Sequence, residues 1–127
     1  MKLNKTEDYA ILIISFLAKE KEISSVSKIC KSLNLPMPFT RKILNMLLKS
    51  GLVKGVEGIK GGYILAKKID NLNLYEILES IGSSISITDC LTCECSVYSS
   101  CLTKDVFQKL NKEIILKFKE IKIKDFI

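Results

Sequence analysis

Four of the chain's five cysteines, Cys90, Cys93, Cys95 and Cys101, fall within twelve positions of otherwise small and polar sequence. Core packing explains such a density poorly. Thiolates bind soft metals, so the segment admits three chemistries: an iron-sulfur cluster, a structural zinc ion, or metal-free redox thiols. Cys93 and Cys95 are separated by one residue, which is tight for a closed zinc tetrahedron. The fifth cysteine, Cys30, shares helical spacing with Val26, Ile29 and Leu33 and reads as a small buried hydrophobe. There is no histidine, which removes Ser-His-Asp and Cys-His nucleophile pairs and every histidine-bearing metal site. No enzymatic reaction is expected.

A second chemistry is electrostatic. The chain's net charge is +6, but residues 1–68 carry 13 Lys and Arg against 5 Asp and Glu, while residues 69–127 carry 7 against 9. The basic half is the candidate nucleic-acid surface. Within it, a helix preceded by Pro36 and containing Pro38 is expected to run to Ser50, with Gly51 as its stop. Its spacing predicts Phe39, Ile43, Met46 and Leu47 facing inward and Thr40, Arg41, Lys42, Asn45 and Lys49 facing outward. Arg41 and Lys42 suit guanine edges or phosphates, and Thr40 and Asn45 suit base edges.

The remaining elements must position these groups. A first helix, capped by Asn4 or Thr6, is expected to run to about Ala18 with Tyr9, Ile13, Phe16 and Leu17 as its buried stripe. A second starts after Ser24 or Ser25, and the break at Asn34 to Pro38 makes a tight turn into the third. Two β-type runs follow, Leu52 to Val56 and Tyr63 to Ala66. The glycines between them permit a hairpin and let the backbone at Gly61, together with Lys60, approach DNA. Asn71 or Asn73 caps a further helix through Leu74, Ile77, Leu78 and Ile81. A last helix, from about Thr103 to Lys124, carries Val106, Phe107, Leu110, Ile114, Phe118 and Ile121 as an apolar stripe. Either a partner subunit covers that stripe or it folds back on the first helix.

Two short helices joined by a tight turn and followed by a hairpin build a winged helix-turn-helix, whose second helix enters the major groove. The expected fold is mainly α: residues 1–81 form the winged helix-turn-helix, 82–102 a cysteine-rich loop, and 103–127 a long C-terminal dimerisation helix and tail. The longest apolar run, Tyr9 to Leu17 with Ser15 inside it, is shorter than a membrane span, so a cytoplasmic protein without a membrane partner is expected.

Asp8-Tyr9-Ala10, Lys49-Ser50-Gly51-Leu52-Val53 and the wing Gly58-Ile59-Lys60-Gly61-Gly62-Tyr63-Ile64-Leu65 resemble the Rrf-two family of bacterial regulators (IscR/NsrR/CymR-like). The resemblance spans nearly the whole chain and implies a homodimer binding a palindromic double-stranded DNA operator. It favours a two-iron or four-iron iron-sulfur cluster as cofactor, held by Cys90, Cys95 and Cys101. The histidine that serves some members as fourth ligand is replaced by Lys104, which leaves Asp8, at the position of an aspartate ligand in other members, or the local Cys93. The family's wing arginine is Glu57 here, so Lys54 or Lys60 is expected to supply the lost groove or phosphate contact. The implied function is transcriptional regulation in response to iron-sulfur, redox or nitric oxide status. The alternatives are a cluster-free thiol or cysteine-metabolism regulator of the same fold and, in another class, a small iron-sulfur electron carrier.

Overall fold

Helix α1, Lys5–Glu20, begins where Asn4 accepts a hydrogen bond from the Glu7 amide and Glu7 accepts one from the Asn4 amide, a reciprocal capping box. It buries Ala10, Ile11, Ile13, Ile14, Leu17 and Ala18, while Tyr9 and Phe16 lie at the margin of the core. The computed structural model describes residues 2–87 and 100–127.

Helix α2, Val26–Leu33, is capped by Ser25 and buries Ile29 and Cys30, so Cys30 is the core residue its spacing predicts. Asn34, in the left-handed conformation, and Pro36 turn the chain into α3, Met37–Ser50, with Pro38 in the first turn and Gly51 closing the helix at φ 85°. The buried residues of α3 are Thr40, Ile43, Leu44 and Leu47, the i, i+3, i+4, i+7 pattern of one helix face. This corrects the expectations for Thr40 and Phe39 and adds Leu44 to the inward set. Thr40 faces inward, Leu44 joins the core, and Phe39 lies 37% exposed at the edge, its ring meeting Tyr9 edge-to-face at 5.7 Å.

Strands β1, Val53–Val56, and β2, Gly62–Leu65, form an antiparallel hairpin in the register Val53 to Leu65 through Val56 to Gly62. The hairpin is pinned to the α1–α2 connection. The Ser24 amide donates to the Tyr63 carbonyl at 2.9 Å, and the Tyr63 amide donates back to Ser24 at 2.8 Å. The approach is close enough that a Cβ on Gly62, whose φ is +151°, would run into the Ser24 backbone.

A 3-10 turn, Ile69–Asn71, leads to α4, Leu74–Ser80, capped by Asn73. Helix α5 is Lys104–Glu120, shorter than the spacing of its apolar residues predicts. The chain leaves helical geometry at Ile121, whose carbonyl accepts from the Leu74 amide, while the Ile123 amide donates to the Leu72 carbonyl. A C-terminal 3-10 turn, Ile123–Phe126, packs against α1, and Ile123 is completely buried in the core. Backbone pairing and burial together outweigh continuation of the helix.

Helix α5 packs on α4 through one face, with Ile114, Ile115 and Phe118 against the core. Val106, Leu110, Leu116 and Ile121 remain exposed. Among the described residues, no helix is long and apolar enough to cross a membrane.

Candidate nucleic-acid interface and cysteine site

The inward stripe of α3 fixes what its outer face presents. Pro38, Lys42, Asn45 and Lys49 recur at i, i+4, i+7 and i+11 opposite the buried side chains, all exposed, with exposed Arg41 flanking them. Arg41 and Lys42 form no ion pair among the described residues, so their charge is available to an external anion. The Arg41 guanidinium lies back toward the helix start, Nη2 standing 3.6 Å from Met37 Sδ.

Thr40 does not belong to this face. It is 1% exposed, and its hydroxyl donates to the Pro36 carbonyl at 2.9 Å. A β-branched residue that satisfies its own hydroxyl within the preceding turn suits the core face, which is why its polarity misleads on outward orientation. Pro38 is the member of the outer face that sequence reasoning passed over, although its spacing from Lys42 and Asn45 was available.

The wing places Lys54 on β1, exposed and paired in register with Ile64, and Lys60 in the exposed turn beside Gly61. Gly61 donates to the Gly58 carbonyl at 3.0 Å and is crowded by the Val56 carbonyl, so this tight turn has no room for a side chain there. Glu57 lies in the same exposed turn and forms no ion pair among the described residues.

Of the cysteine segment, Cys90, Cys93 and Cys95 lie outside the described residues. Cys101 lies just before α5, with Sγ 3.3 Å from Thr103 Oγ1. Hydrogen bonds from the Thr103 hydroxyl and backbone, followed by the amide and charge of Lys104, hold its thiol below the ordinary range. That shift favours the thiolate form that binds soft metals, whereas Cys30 is enclosed in α2. Asp8 is exposed in the first turn of α1 and free of ion pairs among the described residues. Among those residues, no three His, Cys, Asp or Glu side chains stand together as a metal site.

A helix pair with a basic outer face on its second member, braced by a hairpin and a helical body, defines a winged helix-turn-helix protein. The profile of the Rrf2 family, described as iron-dependent transcriptional regulator, matches residues 3–127. The chain belongs to that family of DNA-binding transcriptional regulators, which are not enzymes.

A helix-turn-helix-type transcriptional regulator of Aquifex aeolicus is 31% identical over 132 residues, covering 100% of this chain and 92% of its own length. The regulator NsrR of Shouchella clausii is 23% identical, covering 100% of this chain and 89% of itself. Among solved structures, IscR of T. potens superposes with a TM-score of 0.77 at 26% identity, covering 99% of this chain and 85% of its own. CymR of B. subtilis shares the fold, with a TM-score of 0.76 at 23% identity and coverage of 99% and 95%.

Proposed function

We propose that the protein is a cytoplasmic, homodimeric regulator that binds a palindromic operator and responds to iron-sulfur, redox or nitric oxide status through its cysteine segment. Residues 1–81 serve as the DNA-binding domain, 82–102 as the sensing loop and 103–127 as the dimerisation element. The observation that carries the sensing half is the contrast between Cys101, partly exposed and thiolate-favoured, and the buried Cys30.

Cys90, Cys95 and Cys101, with Asp8 or Cys93, are the residues that would hold an iron-sulfur cluster. Thiolates with a carboxylate or a fourth thiolate are a donor set of the right softness for iron. Such a group supplies a centre that reacts with electrons, oxygen or nitric oxide. The chain's own residues do the rest: Thr103 and Lys104 lower the pKa of the Cys101 thiol, and Asp8 offers an oxygen donor from α1, the helix on which the DNA-binding body is built.

Dimerisation is supported by the outer face of α5. Exposed Leu110, Leu116 and Ile121, with the partly buried Ile114 and Phe118 at their base and Glu113, Lys117 and Glu120 at the rim, line a shallow groove of about 440 Å³. Arg41, Lys42, Asn45, Lys54, Lys60 and the Gly61 backbone are the proposed DNA contacts.

The test is anaerobic purification with iron, sulfide and visible-absorbance quantification of the wild type, Asp8→Ala and Cys93→Ala, followed by duplex binding before and after nitric oxide. Iron and sulfide that depend on Asp8 or Cys93, together with a change in duplex affinity, are expected. Iron-free, sulfide-free protein that still binds its operator sinks the cluster reading and leaves a thiol-based regulator.

A further inference from the structure

The outer face of α3 is chemically one-sided. Across Met37–Ser50 there is no carboxylate, and Thr40, whose hydroxyl could have accepted a hydrogen bond, is buried and already bonded to Pro36. In the two turns nearest the helix start, the end that reaches base edges in this class of domain, the face opposite the buried stripe therefore offers the apolar ring of Pro38 and the donors Lys42 and, at its edge, Arg41, while the partly exposed Met37 and Phe39 lie to its sides. It offers no side-chain oxygen acceptor before Asn45, only the weak thioether acceptor of Met37.

From this we infer that the protein reads, in each operator half-site, a guanine next to a thymine. Only guanine presents two acceptors, O6 and N7, side by side in the major groove, matching the Arg41 fork. The amino groups of adenine and cytosine need an acceptor that this part of the face lacks. Thymine alone carries a groove-facing methyl group, the natural partner of an apolar ring that has no N–H to satisfy. Pro38 and Arg41 are three residues apart and so neighbours on the helix surface, which places the two readouts on adjacent base pairs. This specificity rests on α3 being the helix that enters the groove.

The test is selection of the full-length protein on a pool of duplexes with a randomised core, followed by affinity measurement on the recovered sequence. A half-site containing guanine beside thymine is expected. Arg41→Ala should relax selection at the guanine by roughly ten- to hundredfold, and 7-deazaguanine at that position should mimic the loss in the wild type. Deoxyuridine in place of the thymine should weaken wild-type binding roughly two- to fourfold, the contribution of one methyl group. In Pro38→Ser the two duplexes should bind alike.

A recovered motif without that pair, or one indifferent to both base analogues, overturns the inference while leaving DNA binding intact. Failure to enrich any duplex, with the protein folded by circular dichroism, removes both.

Discussion

The carboxylate of Glu7 bonds Ser83 across 76 residues of sequence, joining the first turn of α1 to the segment that follows α4. Its second oxygen accepts from the Asn4 amide at 2.8 Å, so one side chain closes the cap of α1 and holds the approach to the cysteine segment. Ser83→Ala should lower stability by about 1–2 kcal/mol, as expected for a hydrogen bond to a charged group. Combined with Glu7→Ala, the losses should fall short of additive by about 0.5 kcal/mol or more in urea melts. Additive losses would show that the two groups act independently.

The wing depends on the contact between Gly62 and Ser24. Gly62→Ala brings a Cβ against the Ser24 backbone at a positive φ and should destabilise the protein by about 1–3 kcal/mol. The wing amides at Tyr63 and Ile64 should exchange faster with solvent. Ser24→Ala should be neutral or stabilising by up to about 1 kcal/mol, because the buried Ser24 hydroxyl has no hydrogen-bond partner among the described residues. Strong destabilisation by Ser24→Ala would mean that its hydroxyl is bonded after all.

Thr40 and Arg41 are neighbours with opposite settings, the first buried and the second exposed. Thr40→Val keeps the branched shape, and the Pro36 carbonyl retains its bond from the Thr40 amide at 3.0 Å, so a stability change within about 1 kcal/mol is expected. Duplex affinity should change less than about twofold. Titration of a fluorescent duplex settles the matter, a tenfold loss for Thr40→Val being the contrary result.

In metal-free protein, iodoacetamide should label Cys101 before Cys30, measured by peptide mass spectrometry. The hydrogen bonds that lower the Cys101 pKa enlarge its thiolate fraction at neutral pH, whereas Cys30 is enclosed. Thr103→Val removes the hydroxyl contribution, so the Cys101 pKa should rise and its labelling at neutral pH should slow. Equal rates in the two proteins would show that Thr103 does not stabilise the thiolate.

The proposed dimer contact through the α5 groove would be sensitive to charge. Leu110 is 44% exposed in the single chain, so Leu110→Glu should leave the fold intact. In a dimer it would bury an unpaired carboxylate, and sedimentation should show dimerisation weakening by roughly tenfold or more. Unchanged sedimentation would place the partner surface elsewhere.

What the sequence discloses here is what is local. Asn4, Ser25, Asn73 and Gly51 mark helix ends because a cap is decided within four residues. The glycines between the two β-type runs likewise mark the hairpin turn. The orientation of α3 was legible from its aliphatic residues but not from Thr40, whose hydroxyl turns back onto its own helix. The end of α5 was hidden because Ile121 and Ile123 leave the helix to pair with Leu74 and Leu72, far back along the chain. The Glu7 to Ser83 and Ser24 to Tyr63 links are hidden for the same reason, since nothing in a neighbouring residue announces them. Of the proposed ligands, Asp8 and Cys101 have a described setting; the other three cysteines lie outside the described residues.

The burial of Ile123 among residues of the helix-turn-helix has a consequence for biogenesis. A ribosome delivers α1 to α4 first, then the cysteines, and only afterwards the residue that completes the core around them. The DNA-binding body thus reaches its full stability after every cysteine has been synthesised. The order of translation leaves little opportunity for a nascent regulator to occupy DNA before its cysteine segment exists.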